Sequence, residues 1–157
     1  MTDTHSATLK TRTAGDSAAR LRSAVNRISR RLRPTKAGEG FTPTEILVLE
    51  TVANRGPIRL SDLAAVEGMN PTMVSRVAHK LEGPGLIRRH RHPVDGRAAL
   101  LEVTGSGRRL RERIRTERTD QLSMELDALS DVERRLVLDA LPVLERLAEQ
   151  LKDRRSQ

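Results

Sequence analysis

The chain has 157 residues, 36% of them hydrophobic and 32% charged, which predicts one domain with a single sizeable core. Because it has no cysteine, disulfides, cysteine metal ligands, thiol nucleophiles and cysteine-based redox sensing are excluded. A formal net charge of +8 makes nucleic acid or an anionic membrane surface the first partner to consider.

Other features of the composition narrow the function further. Phe41 is the only Phe, Tyr or Trp, which disfavours proteins that stack single-stranded bases on several aromatic rings. No apolar run approaches the ~20 residues needed to span a bilayer, and residues 1–10 lack the apolar segment of a signal peptide. The motifs of serine hydrolases, P-loop NTPases and zinc peptidases are missing. We therefore expect a cytoplasmic protein that is not an enzyme and holds no cofactor.

The N-terminal part is basic, with nine of the Lys and Arg residues and three acidic residues in positions 1–40. Residues 1–15 show no periodicity and are predicted to form a flexible arm. A helix over 16–34 can start at Asp16 or Ser17, both good N-cap residues. Its apolar positions recur at steps of 4, 3 and 4 and are Leu21, Val25, Ile28 and Leu32.

Two further helices follow clear start signals. Thr42 and Glu45 have the spacing of a capping box at the start of one helix. A short extended bridge is predicted over 58–60, and Ser61 is expected to cap a short helix that ends at Gly68.

The next helix, over 71–82, begins at Asn70 and Pro71 and is followed by a hairpin. The positions expected to face inward are Val74, Val77 and Leu81. Strands over 86–90 and 98–103 flank a turn with Asp95-Gly96 at its tip. A helix-turn-helix followed by a basic hairpin is typical of a winged helix, here over 41–103 with its wing over 86–103.

Residues 104–154 predict two long helices, so the fold class is mainly α with a small β-hairpin. Thr104 is expected to cap the first, and Ser130 to Glu133 forms a capping box for the second. Pro142 is expected to kink or break the last helix. The apolar positions of the two helices are Leu110, Ile114, Leu122, Met124, Leu126, Leu129, Val132, Leu136, Leu141, Leu144, Leu147 and Leu151.

The helices at the two ends of the chain carry more apolar surface than the small central module can bury. A homodimer with a two-fold axis would cover it and present two recognition helices about 34 Å apart to a pseudo-palindromic double-stranded DNA. The alternative is a monomer whose terminal helices fold over the core.

The run from 41 to 107 resembles the MarR family, the multiple-antibiotic-resistance type of winged helix-turn-helix regulator. The segments that carry the resemblance are 41–45 (FTPTE), 56–64 (GPIRLSDLA), 70–77 (NPTMVSRV), 80–82 (KLE), 85–89 (GLIRR), 92–97 (HPVDGR) and 101–107 (LEVTGSG). The resemblance implies a repressor that occupies an operator. It also implies release by a small, often aromatic or phenolic, ligand bound between the dimerisation helices and the DNA-binding module. Pro142 and the turn over 66–69 depart from the family's usual pattern.

The helix over 71–82 is the predicted recognition helix. Its outward residues, expected at the DNA, are Thr72, Ser75, Arg76, His79 and Lys80. Arg76 can pair bidentately with guanine O6 and N7, with Thr72 and Ser75 as helpers. The alternative is that Arg76 touches only phosphate or solvent. Met73 is interpreted as partial core, with contact to a thymine methyl group as the alternative.

In the wing, Arg97 is the predicted minor-groove residue, and Asp95 is close enough in sequence to orient its guanidinium. An ordinary polar turn is the alternative. Phosphate contacts are expected from Arg88, Arg89 and Arg91. His90, His92 and Asp95 raise a metal hypothesis, but no fourth ligand is evident, so no metal is expected.

Two other functions compete with a specific regulator. The basic N-terminal region would suit a non-specific architectural DNA-binding protein, and a pure protein-interaction module could have kept the fold. Arg76 and Arg97 argue against the second of these, since such a module needs neither.

Overall fold

The computed structural model describes residues 3–91 and 99–153, and the side chains of 15–91 and 99–151. Within those ranges the fold is mainly helical with a small antiparallel sheet, as predicted. The elements are α1 (Asp3–Arg31), α2 (Pro43–Arg55), β1 (Ile58–Arg59), α3 (Leu60–Glu67), α4 (Pro71–Glu82), β2 (Ile87–Arg91), β3 (Ala99–Val103), α5 (Gly105–Asp127) and α6 (Asp131–Asp153).

The chain divides into two units, Met1–Arg118 and Thr119–Gln157. The core of the first unit lies among α2, α3, α4 and the sheet. Its fully buried side chains include Val48, Leu49, Val52, Leu63, Val74, Leu81, Ile87 and Leu101. A smaller cluster joins Ala37, Ile46 and Ile114. One face of α4 therefore packs against the core, and its opposite face lies at the surface.

The sheet has the strand order β1-β3-β2. The predicted hairpin is confirmed, with Ile87 opposite Val103 and Arg91 opposite Ala99. Its turn over 92–98 lies outside the described residues. The extended bridge predicted over 58–60 is a true strand at Ile58 and Arg59, which pair with β3.

Capping signals set most of the helix starts. At α2 the capping box is present: Glu45 N donates to Thr42 Oγ1 at 3.2 Å and Thr42 N donates to Glu45 Oε2 at 2.8 Å. At α4 the Asn70 side chain accepts from Thr72 N at 2.8 Å. The prediction that Ser61 caps α3 is wrong, because β1 ends at Arg59 and the helix starts at once at Leu60.

The start predicted for the first helix is also wrong. Residues 3–15, predicted to form a flexible arm, continue α1 back to Asp3. A helix extends one hydrogen bond at a time once a turn exists, and no proline interrupts the chain before Pro34. The loss of apolar periodicity at residue 15 therefore did not mark a helix end.

The second unit contains the end of α5 and all of α6. The capping box at Ser130 is confirmed: Ser130 N donates to Glu133 Oε2 at 3.1 Å and Glu133 N donates to Ser130 Oγ at 3.3 Å. Of the kink or break expected at Pro142, the break does not occur, since α6 runs through that residue. A proline removes one backbone donor, and the remaining turns keep theirs.

Candidate nucleic-acid interface

The helix α4 has one buried and one exposed face. Val74, Val77 and Leu81 are buried, as predicted, together with Ala78. On the other face Thr72, Arg76, His79 and Lys80 are exposed and Ser75 is half-buried. This arrangement places the predicted base-reading side chains together on one solvent-facing surface.

Lys80 has a partner that the sequence did not suggest. Its Nζ lies 3.3 Å from Oε1 of Glu45, whose side chain is only 7% exposed. The hydrogen bond from Thr42 N is the main cause of a lowered pKa at Glu45; burial opposes that shift, and Lys80 adds to it. The capping box of α2 is thus tied to the last turn of α4. Lys80 stays 61% exposed, so it can still face a phosphate.

The basic side chains of β2 do not share one face. Alternation along the strand puts Arg88 and His90 on one side and Arg89 and Arg91 on the other. Arg88 Nη2 lies 2.7 Å from Glu102 Oε2, and His90 Nε2 lies 3.5 Å from the same oxygen. Arg89 Nε lies 3.4 Å from Glu82 Oε1 at the end of α4. The three predicted phosphate ligands of the wing therefore cannot all meet one backbone strand in the same way.

The wing tip is outside what the structure describes. Asp95 and Arg97, predicted for the minor groove, and His92, considered as a metal ligand, fall within residues 92–98. In the described part of the chain no group of three His, Asp or Glu side chains is arranged to hold a metal ion.

Hydrogen bonds of Thr104 connect the start of α5 to the beginning of the wing. Thr104 Oγ1 donates to Gly85 O at 2.6 Å and accepts from Gly107 N at 3.1 Å, so it caps α5 as predicted. Thr104 N donates to Leu86 O at 3.0 Å. The start of α5 is therefore fixed to the residue that leads into β2.

A cavity of about 1090 Å³ lies in the first unit, beside the segment that joins α1 to α2. Its lining combines aliphatic side chains and one aromatic ring with basic, acidic and hydroxyl groups, and includes Ile28, Leu32, Arg33, Lys36, Glu39, Phe41, Ile46, Leu47, Glu50 and Arg118. Arg118 Nη1 donates to Glu50 Oε1 at 2.8 Å, while its buried Nε has no hydrogen-bond partner among the described residues. That N–H is a buried donor whose hydrogen bond is unsatisfied.

Side chains of α5 bond to the segment before α2 and to the end of α2. Both carboxylate oxygens of Glu117 accept from Ala37 N at 3.1 Å. Arg111 Nη2 donates to Asn54 Oδ1 at 2.6 Å. The sequence did not identify these contacts, because they join positions 57 to 80 residues apart.

Comparison with known proteins gives consistent matches. The MarR family model matches residues 41–99. An HTH-type transcriptional regulator of Mycobacterium bovis is 34% identical over 133 residues, which cover 82% of this chain and 93% of that protein. A Pseudomonas aeruginosa PA01 structure described as a transcriptional regulator is 30% identical, with a TM-score of 0.74 over 88% of this chain and 96% of its own. A MarR family structure from Bacillus stearothermophilus, 20% identical, shares the fold with a TM-score of 0.71 over 93% and 97% of the two chains.

None of the described helices is both long enough and apolar enough to cross a membrane.

Proposed function

Because the chain belongs to the MarR family of DNA-binding transcriptional regulators, we propose that it is a homodimer that binds a pseudo-palindromic operator in double-stranded DNA and represses transcription until a small ligand releases it. The observation that carries the proposal is the solvent-facing surface of α4, where Thr72, Arg76, His79 and Lys80 lie together. We expect it to act in the cytoplasm, because its relatives come from bacteria and bacterial DNA lies in the cytoplasm.

Base readout is assigned to the recognition helix. Arg76 is exposed at the centre of the outward face and can pair with guanine O6 and N7 in the major groove. Thr72 and Ser75 lie in the same part of α4 and can add contacts to a base edge or a phosphate. Arg97 entering the minor groove, oriented by Asp95, remains a prediction from the sequence.

Two apolar stripes support the homodimer. On α1, Leu21, Val25 and Ile28 are 41%, 53% and 51% exposed. On α6 the exposed apolar side chains are Val132, Leu136, Val137, Leu138, Leu141, Val143, Leu144, Leu147 and Leu151. Large exposed apolar faces mark sites of association, and two-fold dimers are the commonest soluble oligomers.

The cavity beside the α1–α2 segment is the proposed ligand site. Its volume suits a small organic molecule, and Phe41 with aliphatic neighbours can hold an aromatic ring. Arg118 lines the cavity and its side chain is 27% exposed, so its guanidinium can attract a phenolate or carboxylate oxygen. A ligand that favours a spacing of the recognition helices different from that of the operator would release the DNA.

The ligand proposal is tested with three matched probes: benzoate, phenol and benzylammonium. Benzoate is expected to weaken operator binding more than phenol, and benzylammonium to have the least effect. Arg118→Met is expected to abolish the difference between benzoate and phenol. Equal effects of all three probes on the wild type would overturn a role for Arg118 in ligand recognition.

The DNA-binding proposal is tested by selection from a random duplex library, followed by footprinting. A specific dimer is expected to select a motif with two half-sites about 10 bp apart. Arg76→Ala is expected to lose the motif, and Arg135→Ala, an exposed α6 change, to keep it. Selection without any motif would overturn the proposal.

The alternative is a non-specific architectural DNA-binding protein. Nine of the 29 Lys and Arg residues lie in the first 40 positions, which favours general attraction to phosphate. In that case selected and random duplexes would bind equally.

A further inference from the structure

Met73 is an apolar residue that the fold leaves outside its core. The sequence led to its interpretation as partial core, but the structure leaves it 47% exposed. It is not among the residues packed against either core cluster. The interpretation of Met73 as part of the core is therefore wrong, and its exposure needs another reason.

Its place on α4 gives one. Pro71 is the first residue of the helix, so Met73 is in the first turn, which the Asn70 cap fixes. In a helix-turn-helix the N-terminal residues of the recognition helix meet the base edges. Helical side chains also point back toward the N-terminus, which directs Met73 further toward that end.

Arg76 is its neighbour on the surface. Residues three apart on a helix have Cβ atoms about 5–6 Å apart, so the two side chains lie side by side. The thioether of Met73 is apolar, so it gains little from contact with a charged phosphate. Beside a guanidinium it suits a DNA groove whose wall is partly apolar. The thymine 5-methyl group is the apolar feature that the major groove presents.

We propose that Met73 is a specificity-determining residue that contacts a thymine 5-methyl group next to the guanine read by Arg76. The inference rests on the proposed function, because it needs α4 in the major groove. Met is flexible and fills irregular apolar gaps, which suits contact with a single methyl group. The largest groups of exposed apolar side chains lie on α1 and α6, with single ones such as Leu47 on α2 and Val66 on α3. The basic neighbours Arg76 and Lys80 favour DNA over protein as the occupant here.

The test removes only the methyl group. In the selected operator, each thymine is replaced in turn by deoxyuridine, and the Kd is measured at ~150 mM salt. For the wild type one thymine in each half-site is expected to be sensitive, with about a fourfold loss of affinity per buried methyl. Met73→Ala is expected to bind the thymine and deoxyuridine duplexes equally. Arg135→Ala, a change at an exposed basic residue of α6, is expected to keep the wild-type sensitivity.

The possible outcomes distinguish a failure of the Met73 contact from a failure of the proposed function. A specific motif with no deoxyuridine-sensitive position, or with the same sensitivity in Met73→Ala, would overturn the inference and leave the proposed function standing. Failure to select any motif would overturn the proposed function and the inference with it.

Discussion

Gly107 occupies a position in the first turns of α5 where a side chain has no room. A Cβ built there would lie 2.1 Å from Leu86 O and 2.8 Å from Val103 Cγ2. Gly107→Ala must therefore push α5 away from the wing. Overpacking of this kind costs about 1–3 kcal/mol. The hydrogen bond from Thr104 N to the same Leu86 carbonyl is worth about 1 kcal/mol. The higher helix propensity of alanine offsets this loss of stability by about 1 kcal/mol.

The net expectation for Gly107→Ala is a loss of about 2 kcal/mol in the free energy of unfolding. Urea denaturation at fixed protein concentration should show it as a midpoint lower by about 1 M. Gly105→Ala is the matched control, because its Cβ would meet only the mobile end of Arg109, 3.4 Å away. The control should unfold at the wild-type midpoint or slightly above it. A wild-type midpoint for Gly107→Ala would refute the close contact between α5 and the wing.

Two further predictions concern the ion pair and the dimer. Because the pKa of Glu45 is lowered in the folded state, its contribution to stability is present above the ordinary value of 4.5 and is lost as the pH falls through the folded value. Glu45→Gln, which also loses the ion pair with Lys80, should show a smaller drop in urea midpoint between pH 5 and pH 3 than the wild type; an equal drop would contradict the role of Glu45. Leu136→Glu puts a charge on the exposed apolar stripe of α6 and should raise the monomer fraction in sedimentation equilibrium, whereas Arg135→Ala should not; an unchanged fraction would place the dimer interface elsewhere.

The parts of the fold that the sequence predicted correctly are governed by short-range chemistry. The capping boxes at Thr42 and Ser130 and the Asn-Pro start at residue 70 can be recognised because the groups that satisfy the first N–H groups of a helix lie within three residues. The buried face of α4 could also be predicted from the sequence, since its apolar residues recur at helical spacing.

The features that the sequence did not predict depend on distant partners. Ile58 becomes a strand because it pairs with Leu101, and Lys80 is positioned by Glu45, 35 residues earlier. No local sequence pattern predicts either contact. The interpretation of Met73 was wrong for a different reason. An apolar residue at the border of a buried stripe gives the same sequence pattern whether it packs inward or stays exposed.

The most direct test of the central claim is a competition titration between the selected operator and a scrambled duplex at ~150 mM salt. A specific regulator should prefer its operator by about 10³-fold or more. Arg76→Ala should lose most of that preference while keeping its affinity for scrambled DNA within a few-fold, since one guanidinium adds little to general attraction. Equal affinity of the wild type for both duplexes would contradict base readout by α4 and favour the architectural alternative.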